Sequence, residues 1–438
     1  MLVSILCDMA KNTTMNPWSQ QDEGSHYPVT REWWTFETLF STSDKRKWNL
    51  MLIMSYNLEK PNCFFQYTLF DITNKTCVLR KDIDDNIKKF RHEKNKLDLV
   101  YEKNYSKGRF PDYTLHLEDE SQSFMFDIDL HAISFPHWIA QDITNGSLPI
   151  GLNFYKYGYI PNAIIKGEMM LQDQSFNITG NGYIEHVWGD WSYQKPLSNI
   201  KNLRKTFRTY INLGKWWISH HTPKIPETIG FTTENNIFGY DWVWGVFDNN
   251  WSVFYGNILF WLYQGPAFGV LTLTPNGKTY WDFSDITYRY NKVHYVKEYD
   301  IYFGSDIDLI ARLYDKTITL NFSLNTNAYD YIDPFNHQGF YRAFILAEMP
   351  GTISGIYKDD HQEIKLKGDC KMMPLRQPSI LGHNAVTLTL TKPPKGFGIS
   401  FDLNSHYLKK KIDASIQLIP KPKCSFEIKS LNRQDFTF

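Results

Sequence analysis

Apolar and polar residues alternate with a period of two along most of this chain, which is the pattern of half-buried β-strands. In Ser123–Leu130, four apolar side chains fall on one face of an extended strand and two aspartates on the other. Two further segments, Val270–Thr274 and Thr279–Phe283, flank an Asn-Gly pair that favours a tight hairpin turn. The alternation recurs in Thr317–Leu324, Ala385–Leu390 and Gly398–Leu403. We therefore expect antiparallel meanders that close into barrels or sandwiches.

Aromatic residues support this expectation. The chain contains 14 Trp, 27 Tyr and 30 Phe, which together make 16% of its residues. Aromatic side chains fit a pleated, half-buried surface, so the composition favours strands over helices. A large β core explains the excess, and so does an aromatic-lined cavity for an apolar ligand. The two explanations are compatible.

The length of 438 residues indicates two domains, because single hydrophobic cores rarely grow this large. The strand rhythm breaks between Ser192 and Asn236, where three prolines and a basic run occur. Only residues 86–93 and 199–207 have helical character, so we expect helices to be few and short. The predicted divisions are an N-terminal tail (1–25), a first domain (26–195), a linker or lid (196–236) and a second domain (237–438).

Charge and hydropathy exclude several classes of partner. The 47 basic and 47 acidic residues cancel, so no global field attracts nucleic acid, and we predict no nucleic-acid partner. No run approaches the roughly 18 apolar residues of a membrane span, although transient membrane contact stays open. The five cysteines form no CxxC pair and the N-terminus lacks the pattern of a secretory signal. These features predict a soluble, reduced protein in the cytoplasm.

Most catalytic signatures are missing from the sequence. There is no HExxH motif, no phosphate-binding loop and no nucleophile elbow. Gly180-Asn181-Gly182 begins like a dinucleotide fingerprint, but Glu185 stands where the third glycine belongs. For the His220-His221 pair, a solvated loop is favoured over metal binding, because adjacent strand residues point to opposite faces. We predict no metal site and no organic cofactor.

The first segment of interest surrounds Glu32-Trp33-Trp34-Thr35-Phe36. On a strand, Trp34 and Phe36 share one face with Glu32. A carboxylate among aromatic rings is either a buried anchor that fixes strand register or part of the wall of a ligand cavity. From chemistry alone, the anchor is favoured.

The second segment runs from Gly180 to Trp191 and contains Tyr183-Ile184-Glu185-His186-Val187-Trp188. If the segment is extended, Ile184, His186 and Trp188 share one face and Glu185 lies on the other. An imidazole beside an indole and shielded from water can transfer a proton near neutral pH, and an indole face can stabilise a carbocation. A satisfied core histidine is the plainer interpretation.

Three motifs in order give a family resemblance. Glu32-Trp33-Trp34-Thr35-Phe36 resembles the Glu-Trp-Trp-Tyr-Phe motif of the AttH and carotenoid 1,2-hydratase family, and residues 182–190 resemble that family's Gly-Tyr-His-Asp-His-Asn-Trp-Gly segment. Tyr240-Asp241-Trp242, followed by residues 251–255, is similar to the start of the family's second domain. The resemblance implies an all-β fold of two tandem lipocalin-like antiparallel β-barrels with few short helices, an apolar ligand and no organic cofactor.

The resemblance also implies site residues. His186 would donate or accept a proton, Trp188 and Tyr255 would stabilise positive charge, and a carboxylate from Glu185, Asp241 or Glu32 would orient the histidine. Asn257 stands where the family has an aspartate, and an amide cannot supply a proton as a carboxylic acid does. The predicted catalytic residues are His186, Trp188, Tyr255, Asn257, Glu185 and Asp241. The predicted substrate-binding residues are Glu32, Trp34, Phe36, Tyr183 and Trp242.

These observations predict a cofactor-free hydratase, cyclase or isomerase that acts on a hydrophobic isoprenoid or polyene by proton transfer and cation stabilisation. The partner would then be a hydrophobic small molecule. The alternative is a non-enzymatic lipid or isoprenoid carrier, which needs no acid and is favoured by Asn257. A third possibility is a structural β-protein whose interior is filled by its own aromatic side chains.

Overall fold

The structure is a computed structural model with two compact units. It describes residues 18–192, 198–220, 228–232, 240–258, 264–296, 301–326, 330–332, 345–376, 386–392, 397–405, 409–419 and 421–430. Unit 1 comprises Met1–Leu69 and Leu79–Lys215, and unit 2 comprises Phe70–Val78 and Trp216–Phe438. The boundary at Lys215 falls inside the segment 196–236. Most of the predicted N-terminal tail, His221 and the prolines at 196, 223 and 226 lie outside the described residues.

The first thirteen strands form one antiparallel sheet in the order β4-β3-β2-β1-β13-β12-β9-β8-β7-β6-β5, with β10 and β11 paired to β12. Their bounds are β1 Arg31–Thr42, β2 Lys47–Asn57, β3 Asn62–Asp71, β4 Thr76–Asn86, β5 Phe90–His92, β6 Leu97–Tyr101, β7 Asn104–Arg109, β8 Asp112–Asp119, β9 Phe124–Ala132, β10 His137–Trp138, β11 Ser147–Ile150, β12 Asn153–Leu171 and β13 Gln174–Asp190. A short helix, α1 (Gln141–Thr144), lies between β10 and β11.

The remaining strands form two antiparallel sheets, ordered β17-β20-β21-β22-β24-β25-β15-β16-β18-β19 and β14-β27-β28-β29-β30, with β23 and β26 paired to β24. Their bounds are β14 Thr228–Thr232, β15 Asp241–Phe247, β16 Ser252–Asn257, β17 Gln264–Pro266, β18 Gly269–Thr274, β19 Trp281–Phe283, β20 Asp285–Val296, β21 Ile301–Leu313, β22 Lys316–Leu324, β23 Asp330–Ile332, β24 Ile345–Lys358, β25 Glu363–Met372, β26 Leu375–Arg376, β27 Val386–Thr391, β28 Phe397–Ser405, β29 Lys410–Ile419 and β30 Lys423–Ser430.

The sheets include one nearly closed barrel and one half-barrel sheet, so the predicted all-β, lipocalin-like fold class is confirmed. The alternation in β9 has the expected consequence, because its four apolar side chains are buried and the two aspartates are exposed. The predicted hairpin is the β18–β19 pair, and the segments around 386 and 400 pair as β27 and β28. Ala385, at the edge of one predicted strand, lies outside the described residues.

A second helix, α2 (Leu203–His220), is longer than the sequence predicted. The prediction reached only residue 207, whereas apolar residues continue at helical spacing through Tyr210, Ile211 and Ile218. Part of the segment predicted as linker or lid is therefore an 18-residue helix. No helix within the described ranges is long and apolar enough to cross a lipid bilayer.

Strand β1 lies between β2 and β13 and sets the geometry of the first motif. Cα pairing places Trp34 opposite His186, Glu32 opposite Trp188 and Phe36 opposite Ile184. The ring of Phe40, on the same face of β1, packs 5.3 Å from that of Phe126 on β9, which is not a neighbouring strand. This face therefore looks into the interior of the first sheet.

Candidate functional site

A buried histidine–carboxylate pair lies at the start of β1. The Nε2 atom of His186 is 2.9 Å from Oε1 of Glu32, and both side chains are almost completely shielded from solvent. The other ring nitrogen of His186, Nδ1, lies 2.7 Å from the backbone carbonyl oxygen of Asp22. Both nitrogens of His186 are therefore engaged by acceptor atoms of the protein.

These contacts constrain where the protons are. A carbonyl oxygen only accepts, so Nδ1 must carry a proton and donate it to Asp22. One more proton must then lie between Nε2 and Oε1, since an unprotonated nitrogen and a carboxylate oxygen repel each other at 2.9 Å. The pair is either an imidazolium with a carboxylate or a neutral imidazole with a carboxylic acid.

The surroundings of Glu32 favour the carboxylate. Its Oε1 accepts from the backbone N–H of His26 at 2.8 Å, and its Oε2 accepts from the hydroxyl of Ser25 at 2.8 Å. Burial raises the pKa of Glu32, but hydrogen bonds from His186 and His26 outweigh burial and lower it to about 2. Burial lowers the pKa of His186, and the hydrogen bond and charge of Glu32 oppose that effect without reversing it. We therefore describe the pair as a histidine and a glutamate that share one proton.

Aromatic rings enclose the pair. The imidazole of His186 stacks on Trp34 with ring centres 4.5 Å apart, and Trp188 lies 4.4 Å away on a tilted plane. The ring of His26 stacks on Trp188 at 3.9 Å and 8°. Indole faces next to a cation are an electrostatically favourable arrangement, so these rings favour positive charge on the neighbouring imidazoles.

His26 is the member of this cluster that sequence reasoning missed. Its Nδ1 lies 3.1 Å from Oε1 of Glu32, and its side chain is 25% exposed. It is thus in contact with both the buried carboxylate and solvent. No periodic pattern pointed to it, because it lies outside any strand. Its position six residues before a buried glutamate was the only signal available.

The described part of the predicted tail packs on this site. A 3-10 turn at Gln20–Asp22 places the Asp22 carbonyl on His186, and the Glu23 carbonyl accepts from Nε1 of Trp34 at 3.3 Å. Burial raises the pKa of Glu23 to about 7, although the Phe110 N–H and the Tyr113 hydroxyl lower it. Polar groups of residues 18–25, which the sequence assigned to an N-terminal tail, therefore bond to residues of unit 1.

Glu185 lies on the opposite face of β13 from His186. It accepts from Nε1 of Trp33 at 3.0 Å, from the hydroxyl of Tyr183 at 3.0 Å and from that of Tyr157. Burial raises its pKa, and these hydrogen bonds oppose the rise. Of the carboxylates of unit 1 that the sequence offered, Glu32 is the one whose described contacts include a hydrogen bond with His186. Tyr183 belongs to the Glu185 group, and Phe36 is fully buried further along β1.

In unit 2, strands β15 and β16 bring three predicted residues together. Asp241 pairs with Asn257 and Val243 pairs with Tyr255, so Asp241, Tyr255 and Asn257 share one face. Burial and the charge of Asp241 raise the pKa of Tyr255 well above its usual value. Trp242 projects to the other face, where its ring packs edge-on against Phe254.

Two of these residues have structural partners. Asp241 forms a buried ion pair with Arg376 at 2.7 Å and accepts a hydrogen bond from the hydroxyl of Tyr290. Oδ1 of Asn257 accepts from the backbone N–H of Phe268 at 3.1 Å. The Asp241 carboxylate is therefore neutralised by a guanidinium. Asn257 fixes the backbone that joins β16 to β18.

The donor atoms of His26, Glu32 and His186 lie within 4.8 Å of one another. Two imidazoles and a carboxylate are ligand types that zinc and other divalent metals use. Sequence reasoning predicted no metal site because it considered only neighbouring donors such as His220-His221. In this structure Oε1 of Glu32 and both nitrogens of His186 are engaged in hydrogen bonds.

Comparison with known proteins supports the fold. Neither a protein-family model nor a curated protein sequence matches the chain. Among solved structures, a candidate AttH of Nitrosomonas europaea superposes with a TM-score of 0.56 at 12% identity, covering 84% of this chain and 99% of that one.

Two further structures are similar. Kievitone hydratase from Nectria haematococca gives a TM-score of 0.51 at 10% identity, covering 82% of this chain and 94% of its own. CghA gives 0.50 at 8% identity, covering 84% and 94%. The resemblance read from the three motifs is thus confirmed at the level of the fold, and the chain has the lipocalin-like architecture that AttH-type proteins share.

Proposed function

We propose that this protein catalyses the hydration, cyclisation or isomerisation of a hydrophobic isoprenoid or polyene by proton transfer. The observation that carries the proposal is the Glu32–His186 pair, buried between indole rings and joined to solvent through His26. A buried histidine–carboxylate pair that shares a proton between π faces is suited to proton transfer to an alkene and to stabilising the cation that results. The fold is compatible with such chemistry, since kievitone hydratase has it too.

The roles proposed here differ in one respect from those implied by the sequence. Both nitrogens of His186 are occupied, so His186 cannot exchange a proton with a ligand without breaking a buried hydrogen bond. We assign the exchange with the ligand to His26, which contacts the same oxygen of Glu32 and is part-exposed. Glu32 and His186 then hold and orient the proton, and Trp188 provides the face on which charge develops.

Mass spectrometry of linear isoprenoids and polyenes after incubation with the protein tests the reaction. A product heavier by one water indicates a hydratase, and an isomer with a new retention time indicates a cyclase or isomerase. His26→Ala and Glu32→Gln should each lower turnover by about 10²–10⁴-fold, the usual contribution of a positioned acid or base. His131→Ala is the matched control, because His131 is an exposed histidine paired with Asp112. Equal turnover by the wild type and all variants would show that the cluster takes no part in the reaction.

A carrier function is the second candidate, and the chemistry of unit 2 favours it. Asn257 replaces a carboxylic acid and bonds to backbone, and Asp241 is neutralised by Arg376. A protein that only binds an apolar ligand needs no acid at these positions. Recovery of a compound unaltered and bound in stoichiometric amount, with no product from any compound in the panel, would select this function.

A further inference from the structure

Helix α2 exposes a continuous apolar stripe. Its large apolar side chains point to solvent at 54% for Leu203, 66% for Phe207, 47% for Tyr210, 40% for Ile211 and 60% for Ile218. At about 100° per residue these five positions fall within an arc of about 100° on one side of the helix. Exposed apolar residues are common singly, but five on one helix face mark an interaction surface.

Basic residues border this stripe on one side. Arg204, Arg208 and Lys215 are exposed and fall on the arc next to the apolar one. The helix contains no aspartate or glutamate at any position. Within the described part of the chain, none of these three cations is within ion-pair distance of a carboxylate. Their charge is therefore available to an external anionic surface.

The rest of the helix is held by the protein. Thr206 is buried, the ammonium of Lys205 lies 4.1 Å from the ring centre of Phe154, and Nε1 of Trp217 donates to the carbonyl of Ala267 at 2.8 Å. On the helical wheel Lys205 lies opposite the stripe, whereas Thr206 and Trp217 border it on the side away from the three cations. The stripe therefore lies between this anchored arc and the cations, and its side chains are exposed.

We propose that the exposed face of α2, defined by Leu203, Phe207, Tyr210, Ile211 and Ile218 with Arg204, Arg208 and Lys215, binds the surface of an anionic lipid bilayer. An amphipathic helix with large apolar side chains and flanking cations lies in the plane of the interface, with its apolar side among the acyl chains. The cations then meet lipid phosphates and carboxylates. This inference rests on α2 alone and is independent of the proposed reaction.

The charge of this helix face favours an anionic bilayer over the other partners that could bind it. A second copy packing through the same face would place three cations against three cations, with no acidic residue on either helix to pair with them. Nucleic acid would satisfy the cations but leave the apolar stripe in water. An anionic bilayer is complementary to both features.

Vesicle flotation tests the inference on the full-length protein. We expect binding to phosphatidylcholine vesicles that contain one-third phosphatidylserine and at least about tenfold weaker binding to phosphatidylcholine alone. The variant Arg204→Glu/Arg208→Glu/Lys215→Glu should lose more than about 100-fold in affinity, since each cation near an anionic surface contributes about fivefold. Added salt should weaken binding by the wild type.

Two further variants make the result specific. Lys166→Glu/Lys365→Glu/Lys367→Glu changes the net charge equally at exposed positions on β12 and β25, so it should retain most of the binding. Phe207→Ser/Ile211→Ser/Ile218→Ser should lose binding while its circular dichroism stays that of the wild type. Absence of binding to anionic vesicles would overturn the proposal, and so would equal losses in both charge variants. A concentration-dependent dimer that the serine variant abolishes, without vesicle binding, would assign the face to a second copy instead.

Discussion

Two buried glutamates on the two faces of one strand pair behave in opposite ways. The pKa of Glu32 is lowered to about 2, whereas burial raises that of Glu185. Both carboxylates accept several hydrogen bonds. Two imidazoles donate to Glu32, while the donors to Glu185 are an indole, hydroxyls and no group that carries positive charge. The identity of the donors, more than the degree of burial, decides the direction in which each carboxylate pKa is shifted.

This difference predicts opposite pH dependences of stability. A carboxyl whose folded pKa lies below its unfolded value stabilises the fold above the unfolded pKa, and the stability is lost as pH falls through the folded pKa. Glu32→Gln should therefore cost about 3 kcal/mol near neutral pH, and the cost should shrink between about pH 4.5 and pH 2. Urea denaturation of wild type and variant across this range measures it.

Glu185→Gln is the matched control for that experiment. Because the folded pKa of Glu185 is raised, the wild type loses stability relative to a neutral isostere as pH rises above the unfolded value of 4.5. The free energy of unfolding of the variant should therefore increase relative to that of the wild type as pH rises. If the stability of the two variants, each relative to wild type, depended on pH in the same way, the different hydrogen-bond donors would not shift the two carboxylate pKa values in opposite directions.

Sequence patterns predicted the strand faces of some residues of the site but not the positions of others. Period-two alternation put Glu32, Trp34 and Phe36 on one face and separated His186 from Glu185, as the strand register has it. It could not place the Asp22 carbonyl or His26, because a residue outside regular structure has no periodicity and its partner is set by how the chain folds back. The catalytic and binding roles themselves stay predictions.

At the scale of elements, strands were more predictable than helices. β9, β22 and the β18–β19 hairpin follow from local alternation and a turn dipeptide. The prediction for α2 ended at residue 207 although apolar residues continue at helical spacing to Ile218, and in the structure these residues face outward. The apolar spacing that usually marks the buried side of a helix marks an exposed side of α2.

Two of the three glycines in strand β13, Gly180 and Gly182, show how closely the neighbouring strands approach it. A Cβ atom at Gly180 would lie 2.2 Å from the backbone oxygen of Leu39 and 2.5 Å from Cα of Phe40, which cannot move without shifting β1. At Gly182 the nearest atoms are side-chain methyls of Ile165 and Leu130, at 3.0 and 3.2 Å. These glycines of the apparent dinucleotide fingerprint therefore serve strand packing.

Alanine substitutions should separate the two positions. Gly180→Ala should destabilise the protein by about 1–3 kcal/mol, the usual cost of overpacking. Gly182→Ala should cost less than about 1 kcal/mol, because methyl groups can shift and alanine restricts the unfolded chain. Thermal unfolding of the two variants measures the difference. Equal destabilisation would mean that the methyls around Gly182 are as immobile as the β1 backbone around Gly180.

At the scale of the whole molecule, the predicted site residues form two clusters far apart in sequence. The cluster of His26, Glu32 and His186 belongs to unit 1, and Asp241, Tyr255 and Asn257 belong to unit 2. Each cluster neutralises its own charges, through Glu32 with His186 and through Asp241 with Arg376. Removing one partner of either pair leaves a buried charge without compensation, which is far more costly than losing a surface pair.

The net charge of the chain depends on histidine near neutral pH. Lysine plus arginine and aspartate plus glutamate are equal at 47 each, and there are 13 histidines. Exposed histidines gain protons below about pH 6.5, so the protein becomes cationic as pH falls while the arginines and lysine of α2 keep their charge. Binding to anionic vesicles should therefore strengthen from about pH 8 to about pH 6. The Arg204→Glu/Arg208→Glu/Lys215→Glu variant should show the same trend at lower affinity, since its histidines are unchanged. Flotation at several pH values checks this, and affinity independent of pH in both proteins would show that only the local charge of α2 contributes.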